Sequence, residues 1–583
     1  MAKQASDNQL QESPEAPPVR PHHRMWHWTK THKKVAIPAA IVVVAGLLAG
    51  IPFTRYALAG VILKQTYTVT VLDQQTNKPV SSATVMLKGE QAKTDSKGKA
   101  SLKTAVGNGR LTVEKKYYAA AKKTVLVPIF KQKDVTEIKI RATGRQVPVT
   151  VINKISKRPL ANAKVAALGA EVKTDAKGQA LLVLPADKQK VMASVSAAGY
   201  NEAKAEVTVT TEIVAENTYS MTPAGKIYFM SRQSGKYDLV KTNLDGTDRQ
   251  VVLAGTGTES ADQLGLSRSS NGSYIALHAR RDSGNPKLYL IDTQNDEMSV
   301  MDEGNAEFTV KGWAGDFYIY SVTRKDKNMW EAKRQALKSF DAKRKKIITL
   351  DETAAELMPN APFWPGVTQQ YAAEGYNDIF IINGEIIYTK GIQAYYYGPS
   401  KFTIGKEISI NKVRPDGTNK KVLKGRTVIN TTSTFVQGFW SAWIAGYKIG
   451  VGSLYFTLST DQDHPYKYIS GQLQDSEKKS VDEIYQNYKL TIVSPSKKYT
   501  TWAEWIDGQS TVFLGDAKAE NAKQIFRVKD VRPVGWIGDD YIILNDKNSG
   551  LSIMSTLGGT PLRVSDFTNI EGEWINAGEG YAY

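Results

Sequence analysis

The chain contains no cysteine in its 583 residues. This absence excludes disulfides, thiol nucleophiles, cysteine-ligated zinc and iron–sulfur clusters. The fold therefore has to be stabilised by the burial of apolar side chains alone. Histidine is scarce as well, because four of the six histidines precede residue 35 and only His278 and His464 follow it.

Two familiar catalytic motifs are also missing. The sequence has no G-x-S-x-G nucleophile elbow and no G-x-x-x-x-G-K-(S/T) phosphate-binding loop. Two isolated histidines support neither a Ser-His-Asp triad nor a histidine-rich zinc site. The sequence therefore predicts no catalytic residue, no metal site and no cofactor.

Long stretches of helical periodicity are scarce, whereas glycine, tyrosine and tryptophan are plentiful. This combination favours an all-β fold, and the length suggests several domains. The charge is unevenly distributed. Residues 64–223 hold 26 basic and 13 acidic residues, a formal charge of +13, while residues 224–583 hold 43 and 42, a charge of +1. The basic part is either a solvated lysine-rich surface or a surface that attracts anionic lipid headgroups or acidic wall polymers. Nucleic-acid binding is not predicted, because the lysines are scattered and are not interleaved with aromatic residues.

One apolar run is long enough to cross a membrane. Residues 35–53 are 19 uncharged and mostly apolar residues, and a helix of that length rises about 28 Å. Lys30, Lys33 and Lys34 precede the run, so the positive-inside rule predicts a single-pass protein with residues 1–34 as a disordered cytoplasmic tail and everything after the span outside. The alternative is a signal peptide cleaved after Ala59, which would make the protein secreted.

Residues 64–223 contain an internal repeat with an offset of 80 residues. VTVLDQQTNKPVSSATVML at 69–87 aligns with VTVINKISKRPLANAKVAA at 149–167, and KTDSKGKASL at 93–102 aligns with KTDAKGQALL at 173–182. The Asp-x-Lys-Gly segments at 95–98 and 175–178 are typical of hairpin turns. Each copy, 64–143 and 144–223, is predicted to be a small β-sandwich. The pattern resembles carboxypeptidase regulatory-like (transthyretin-like) domains, which implies a spacer or stalk.

Seven hairpin-like segments follow in residues 224–583, each with two alternating strands around a polar turn. Their turn residues are Asp245, Asp292, Asp341, Asp416, Asp475, Asp516 and Gly558. Spacings of mostly 40–50 residues, with about four strands per unit, are typical of a β-propeller. Two copies of G-W-x-G-D-x-Y-I stand at 312–319 and 535–542.

The segment LSRSSNGSYIAL at 266–277 resembles the S-P-D-G-x-x-I-A-F string of TolB-like (PD40/WD40-like) propeller repeats, with Ser and Asn in place of Pro and Asp. The resemblance implies a β-propeller, commonly of six blades, although the hairpins favour seven. The first unit lacks an inner strand, and residues 570–575 are expected to supply it and close the ring.

Aromatic residues are concentrated in two long intervals, 351–405 and 424–465, which are predicted to be loops on one face of the propeller. Such loops can stack on sugars or bind peptide side chains, or they can cover the core beneath them. The predicted ligand-binding residues are Trp364, Tyr395, Tyr396, Tyr397, Phe439, Trp440 and Trp443.

Together these features favour a membrane-anchored, extracytoplasmic binding or adhesion protein whose propeller takes a protein or cell-wall glycan ligand. Two alternatives stay open. One is an assembly scaffold of the envelope, and the other is a lyase or cyclase acting in the propeller channel.

Overall fold

The computed structural model describes most of the chain after residue 62, and the predicted tail and membrane span lie outside the described residues. The described residues are 56, 63–210, 217–328, 331–357, 371–405, 408–425, 428–440, 444–450, 452–458, 461–477, 491–546, 550–565 and 576–577. Within these ranges there is no helix with the length and apolar character needed to cross a bilayer. Apart from a short 3-10 helix at Ala261–Gln263 and the single helical residue Tyr56, their regular structure is β, which confirms the predicted all-β class for this part of the chain.

The chain divides into two compact units. The first comprises residues 1–152, 159–198 and 202–219, and the second comprises 153–158, 199–201 and 220–583. Each unit is described separately below.

The first repeat is a β-sandwich of seven strands. Its strands are β1 (Lys64–Asp73), β2 (Thr84–Leu87), β3 (Glu90–Lys93), β4 (Lys99–Ala105), β5 (Gly107–Glu114), β6 (Ala121–Val127) and β7 (Thr136–Ile140). They form two sheets, in the orders β4-β1-β7 and β3-β2-β5-β6. Val69 and Val71 alternate with threonines along β1 and are fully buried, so β1 turns one face to the core. Val85 and Leu111 of the other sheet belong to the same apolar core.

The second repeat has the same topology, strand for strand. Its strands are β8 (Arg145–Asn153), β9 (Lys164–Ala167), β10 (Ala170–Lys173), β11 (Gln179–Leu184), β12 (Lys190–Ser196), β13 (Ala203–Thr208) and β14 (Thr218–Met221). The sheet orders are β11-β8-β14 and β10-β9-β12-β13. The 80-residue sequence repeat is therefore a repeat of structure.

The turn glycines of the two repeats occupy equivalent positions that no other residue could fill. Gly98 and Gly178 have φ values of +70° and +71°. A Cβ at Gly98 would lie 2.6 Å from the carbonyl oxygen of Val71, and a Cβ at Gly178 would lie 2.5 Å from that of Val151. The D-x-K-G turn thus needs glycine both for its backbone conformation and for its close approach to the first strand.

The second unit contains seven antiparallel sheets in chain order, and six of the seven predicted hairpins lie where they were expected. The fifth turns at Ser470 and Gly471 instead of at Asp475, which lies in a strand. The first sheet contains β15 (Lys226–Ser231), β16 (Asp238–Asn243) and β17 (Gln250–Leu253). The second contains β18 (Gly265–Arg268), β19 (Tyr274–Ala279), β20 (Lys287–Asp292) and β21 (Met298–Asp302). The third contains β22 (Ala306–Ala314), β23 (Phe317–Arg324), β24 (Gln335–Asp341) and β25 (Lys346–Glu352).

The fourth sheet is the largest and the remaining three are regular meanders. The fourth contains β26 (Ala355–Leu357), β27 (Tyr371–Ile382), β28 (Glu385–Gly405), β29 (Ile408–Val413) and β30 (Lys421–Lys424), with β31 (Val428–Trp440) paired to β28. The others are β32 (Ile444–Gly450), β33 (Ser453–Leu458), β34 (Asp461–Ile469) and β35 (Gln472–Asp475); β36 (Ile492–Val493), β37 (Tyr499–Ile506), β38 (Gln509–Asp516) and β39 (Lys523–Val528); and β40 (Val531–Ile537), β41 (Tyr541–Asp546), β42 (Leu551–Ser555) and β43 (Leu562–Arg563).

Apolar clusters join six of the seven pairs of neighbouring sheets. Such clusters lie between the first and second sheets, the second and third, the third and fourth, the fourth and fifth, and the sixth and seventh. A further cluster joins the seventh sheet to the first, where Ile543 and Ile553 pack with Phe229 and Val240. Successive meanders that pack face to face and return to their starting point define a β-propeller.

The C-terminal strand of the described chain pairs with the second sheet. Strand β44 (Asn576–Ala577) runs parallel to β18 of the second sheet, with Asn576 paired to Ser267 and Ala577 to Arg268. In the described part of the chain the first sheet has three strands, and residues 570–575 lie outside that part. The closing strand at 570–575 therefore stays a prediction, and in the described residues the first and seventh sheets meet through side-chain packing.

The duplicated G-W-x-G-D-x-Y-I motif is a connection between neighbouring sheets. The indole of Trp313 donates to the carbonyl of Ser267 at 3.2 Å, and that of Trp536 donates to the carbonyl of Ile492 at 3.1 Å. Both acceptors lie on the innermost strand of a preceding meander, β18 and β36.

The aspartate of the motif makes a second hydrogen bond to the same preceding sheet. Asp316 accepts a hydrogen bond from the Asn271 side chain at 2.9 Å, and Asp539 accepts one from the Ser496 backbone at 3.2 Å. Both donors lie in the turn that follows the innermost strand of the preceding sheet. Each copy of the motif thus fastens its sheet to the preceding one by two hydrogen bonds, and we call this arrangement the tryptophan lock.

We predict that Trp313→Phe destabilises the second unit by about 1–3 kcal/mol, because the buried carbonyl of Ser267 loses its donor. Urea unfolding followed by tryptophan fluorescence measures this, since residues 64–223 contain no tryptophan. Trp505→Phe is the control, because Trp505 is 61% exposed and its replacement should change stability by less than about 0.5 kcal/mol. Equal losses in the two variants would contradict the lock.

Candidate binding site on the fourth sheet

The fourth sheet differs from its neighbours in the length of two strands. β28 has 21 residues and β31 has 13. The first part of β28 pairs with β27 and β29 inside the meander, and its later part, from residue 394 onward, pairs with β31. We call residues 394–405 with 428–440 the ribbon.

The ribbon corrects one prediction. The intervals 351–405 and 424–465 were expected to be loops, but 371–405 and 428–440 are almost entirely strand. These segments are rich in isoleucine, threonine and aromatic residues, which favour strands, and pairing satisfies their backbone groups. A register shift between Gly398 and Ser400 flanks Pro399, where the missing N–H suits a bulge.

The backbone register brings five of the seven predicted ligand-binding residues into one stretch of the ribbon. Tyr395 is paired with Tyr371 of β27 and with Phe439 of β31. The other pairs between β28 and β31 in this stretch are Ala394 with Trp440, Tyr396 with Gly438, and Tyr397 with Gln437. Trp364 and Trp443 lie outside the described residues.

A charged cluster lies where the ribbon leaves the meander. Lys390 on β28 places its Nζ 2.9 Å from Asp351 Oδ2 of the third sheet and 3.0 Å from Glu374 Oε2 of β27. Lys420 Nζ lies 2.5 Å from the other oxygen of Asp351. The carboxylates are only 7% exposed and Lys390 is 13% exposed. The cluster therefore joins the base of the ribbon to the neighbouring sheet.

Burial and charge act in opposite directions on the groups of this cluster. Burial alone would raise the pKa of Asp351, but hydrogen bonds from Lys420 and Lys390 hold that pKa below its usual value. Burial, together with the nearby charge of Asp351, raises the pKa of Tyr376 and of Tyr388. Their rings are 5.9 Å apart in an edge-to-face arrangement. Asp351 is thus an anion and both tyrosines are neutral at physiological pH.

Groups of the same kind recur at three other junctions between sheets, and in the third the ion pair lies within the fourth sheet while the tyrosine comes from the fifth. Each joins a carboxylate to a lysine and a tyrosine hydroxyl: Asp296 with Lys241 and Tyr228, Asp302 with Lys338 and Tyr320, and Glu385 with Lys412 and Tyr468. This recurrence assigns the charged cluster at the base of the ribbon a positioning role, because every charge in it is matched. Sequence reasoning missed these residues, since their partners are far apart in the chain.

A shallow depression lies at the opposite end of β28. Its volume is about 380 Å³, and it is lined by Phe317, Asn383, Gly384, Glu385, Arg414, Pro415 and Asp416. Glu385, the most reactive of these groups, is already bound to Lys412 and Tyr468.

The two histidines outside the N-terminal segment have structural contacts. His278 packs edge-to-face against Phe308 at 6.3 Å, and burial lowers its pKa. His464 lies 3.1 Å from Asp475 and stacks on Tyr466. Among the residues that the structure describes, no group of three or more metal-ligating side chains comes together.

Comparison with known proteins gives no family. No protein-family model matches the chain, and no curated protein matches it in sequence. Among solved structures, the chain is similar to TolB from Acinetobacter baumannii, at 10% identity over 58% of this chain and 77% of that one, with a TM-score of 0.25.

The chain is also similar to the β-propeller domain of the Trilobed protease from Pyrococcus furiosus, at 13% identity over 65% of this chain and 95% of that one, with a TM-score of 0.29. The tricorn protease matches at 10% identity over 85% of this chain and 53% of that one, with a TM-score of 0.28. These TM-scores are too low to assign a fold. The β-propeller class is inferred from the seven sheets of the second unit and their packing.

We predict that Asp351→Asn destabilises the second unit by about 1–3 kcal/mol at neutral pH, because Lys390 and Lys420 lose a charged partner. The pKa of Asp351 is depressed in the folded chain, so its contribution is present above the unfolded-state value of about 3.9 and is lost as pH falls through the folded-state value. The difference between wild type and variant in urea unfolding should therefore shrink towards pH 3. A difference that stays constant with pH would contradict the assignment.

Proposed function

We propose that this protein is a membrane-anchored, extracytoplasmic binding protein. In this proposal two small β-sandwich domains of the carboxypeptidase regulatory-like type form a stalk, and a TolB-like propeller presents the ribbon to a protein or glycan ligand. The observation that carries the proposal is the register of the ribbon, which gathers Tyr395, Tyr396, Tyr397, Phe439 and Trp440 on two paired strands.

The chemistry of the described residues favours binding over catalysis. The ionisable groups at the base of the ribbon are paired with one another, and the tyrosines beside them are held neutral by burial. Aromatic residues carry large contact areas at a small loss of conformational entropy, which suits recognition of sugars and peptides. A strand ribbon anchored by ion pairs also holds such residues in place before a ligand arrives.

Replacement of ribbon aromatics tests the binding role. Tyr396→Ala and Trp440→Ala should abolish binding to the glycans or peptides that the wild-type protein captures on an array, and should leave the melting temperature unchanged. Trp505→Ala is the matched control, because it removes an exposed aromatic residue of the sixth sheet. Loss of melting temperature without selective loss of binding would assign the ribbon residues to packing.

The anchor is tested separately. The full-length chain should stay in the membrane fraction after an alkaline carbonate wash, and a variant lacking residues 35–53 should not, because it loses the 19-residue apolar run. Protease added to intact cells should digest the second unit. N-terminal sequencing distinguishes the alternative, since cleavage after Ala59 would release a chain that begins at Gly60.

A further inference from the structure

A cleft of about 450 Å³ lies within the first unit, between its two sandwich repeats. One wall comes from the first repeat and includes residues 78–81, Ser96 and Tyr118. The other comes from the second repeat and includes residues 148–150, 172–173 and 179–181. The volume is in the range of small-molecule pockets and would accommodate one or two units of a polymer. We call this the inter-repeat cleft.

The two walls are held together by direct hydrogen bonds. The backbone N–H of Lys173 donates to Ser81 Oγ at 2.8 Å, and that hydroxyl donates to the carbonyl of Lys173 at 3.3 Å. The amide of Gln146 donates to Asp73 Oδ2 at 2.8 Å. These contacts join the repeats across the cleft, so the cleft is formed before any ligand binds.

A buried lysine adds a third connection. Lys115 Nζ donates to the carbonyl of Ser81 at 2.5 Å and to that of Glu171 at 2.6 Å, one in each repeat. Burial lowers the pKa of Lys115 to about 8. Its two carbonyl acceptors keep it fixed between the repeats, so it is part of the frame of the cleft.

The lining of the cleft carries three lysines and two aspartates, a formal charge of +1. Lys78, Lys173 and Lys177 line it, are exposed, and form no ion pair within the described part of the chain. The two lining carboxylates are already engaged. Asp73 accepts the backbone N–H groups of residues 75 and 76, and Asp175 accepts those of residues 177 and 179.

Neutral donors complete the lining. Ser96 and Thr150 contribute hydroxyls, and Gln179 contributes an amide. Burial, followed by the nearby charge of Asp73 and a hydrogen bond to it, raises the pKa of Tyr118, so its hydroxyl stays protonated and is engaged with Asp73. Cations with neutral donors around them are the groups that recognise phosphate or carboxylate oxygens.

We infer that the inter-repeat cleft binds a segment of a linear polyanion whose units carry phosphate or carboxylate groups. A single small anion would gain little, because each exposed lysine contributes well under about 1 kcal/mol. A polymer can contact the three cleft lysines at once and then extend over the rest of residues 64–223, whose formal charge is +13. Such binding is multivalent and weakens as salt screens the charges. It rests on the first unit alone and does not depend on the ribbon.

The test measures binding of the full-length chain to polyphosphate of about 20 units and to polygalacturonate by calorimetry, at two salt concentrations. The triple variant Lys78→Gln/Lys173→Gln/Lys177→Gln should lose at least tenfold in affinity. The matched control, Lys103→Gln/Lys122→Gln/Lys204→Gln, removes the same charge from exposed positions outside the cleft and should lose no more than threefold. Binding of polyphosphate alone identifies phosphate as the recognised group, and binding of polygalacturonate alone identifies carboxylate.

A second variant blocks the cleft without changing the charge of the protein. Ser96→Trp fills the cleft at unchanged charge and should also lose at least tenfold in affinity while the melting temperature of the chain is retained. Equal losses of affinity in the two triple variants would show that the polymer is attracted to the whole basic surface, and would overturn the assignment of the binding site to the cleft. Binding only to vesicles that contain phosphatidylglycerol, and to neither polymer, would overturn the proposal in favour of a membrane surface.

Discussion

Packing of each sheet against the next is the interaction on which the second unit depends. A three- or four-stranded meander has two faces and cannot bury either of them by itself. In this chain the inner residues of one sheet meet those of the next in apolar clusters, and the burial of each large aliphatic side chain is worth about 1.5–3 kcal/mol. The tryptophan locks and the lysine–carboxylate–tyrosine groups lie at these same junctions. These directional hydrogen bonds and ion pairs define the angle and spacing between neighbouring sheets more narrowly than apolar contacts alone would.

The two units use charge in different ways. The second unit is nearly neutral, and many of its lysines and carboxylates are spent on joining neighbouring sheets. Residues 64–223, which form the two sandwich repeats, hold twice as many basic as acidic residues, 26 against 13, and several of these lysines have no acidic partner in the described part of the chain. Net charge that is not needed for folding remains available for attraction of a ligand. The proposed polyanion site in the first unit and the proposed ribbon site in the second thus rest on different physical forces.

Much of the fold could be predicted because its signals are local. The alternation of apolar and polar residues along β1 and β8 is visible within ten residues of sequence. So is the D-x-K-G turn, which requires its glycine. Six of the seven hairpins were found for the same reason. The ribbon was not predicted because its two strands, 394–405 and 428–440, are separated in the chain by the hairpin of β29 and β30, so no turn joins them directly. The ion pair of Lys420 with Asp351 joins residues 69 positions apart, and no sequence pattern indicates such a partner. The register of Tyr395 with Phe439 is likewise a property of the folded sheet.

The closure of the ring has a mechanical consequence. The first and seventh sheets meet through side chains such as Phe229 and Ile543, and the C-terminal strand β44 is paired with the second sheet. Force applied to residue 577 therefore shears two strands that run in the same direction, and loads the second blade before the seam. The pairing of β44 with β18 covers two residue pairs, so it resists such a force over a short stretch only. The contact between the first and seventh sheets bears the force after that pairing has broken.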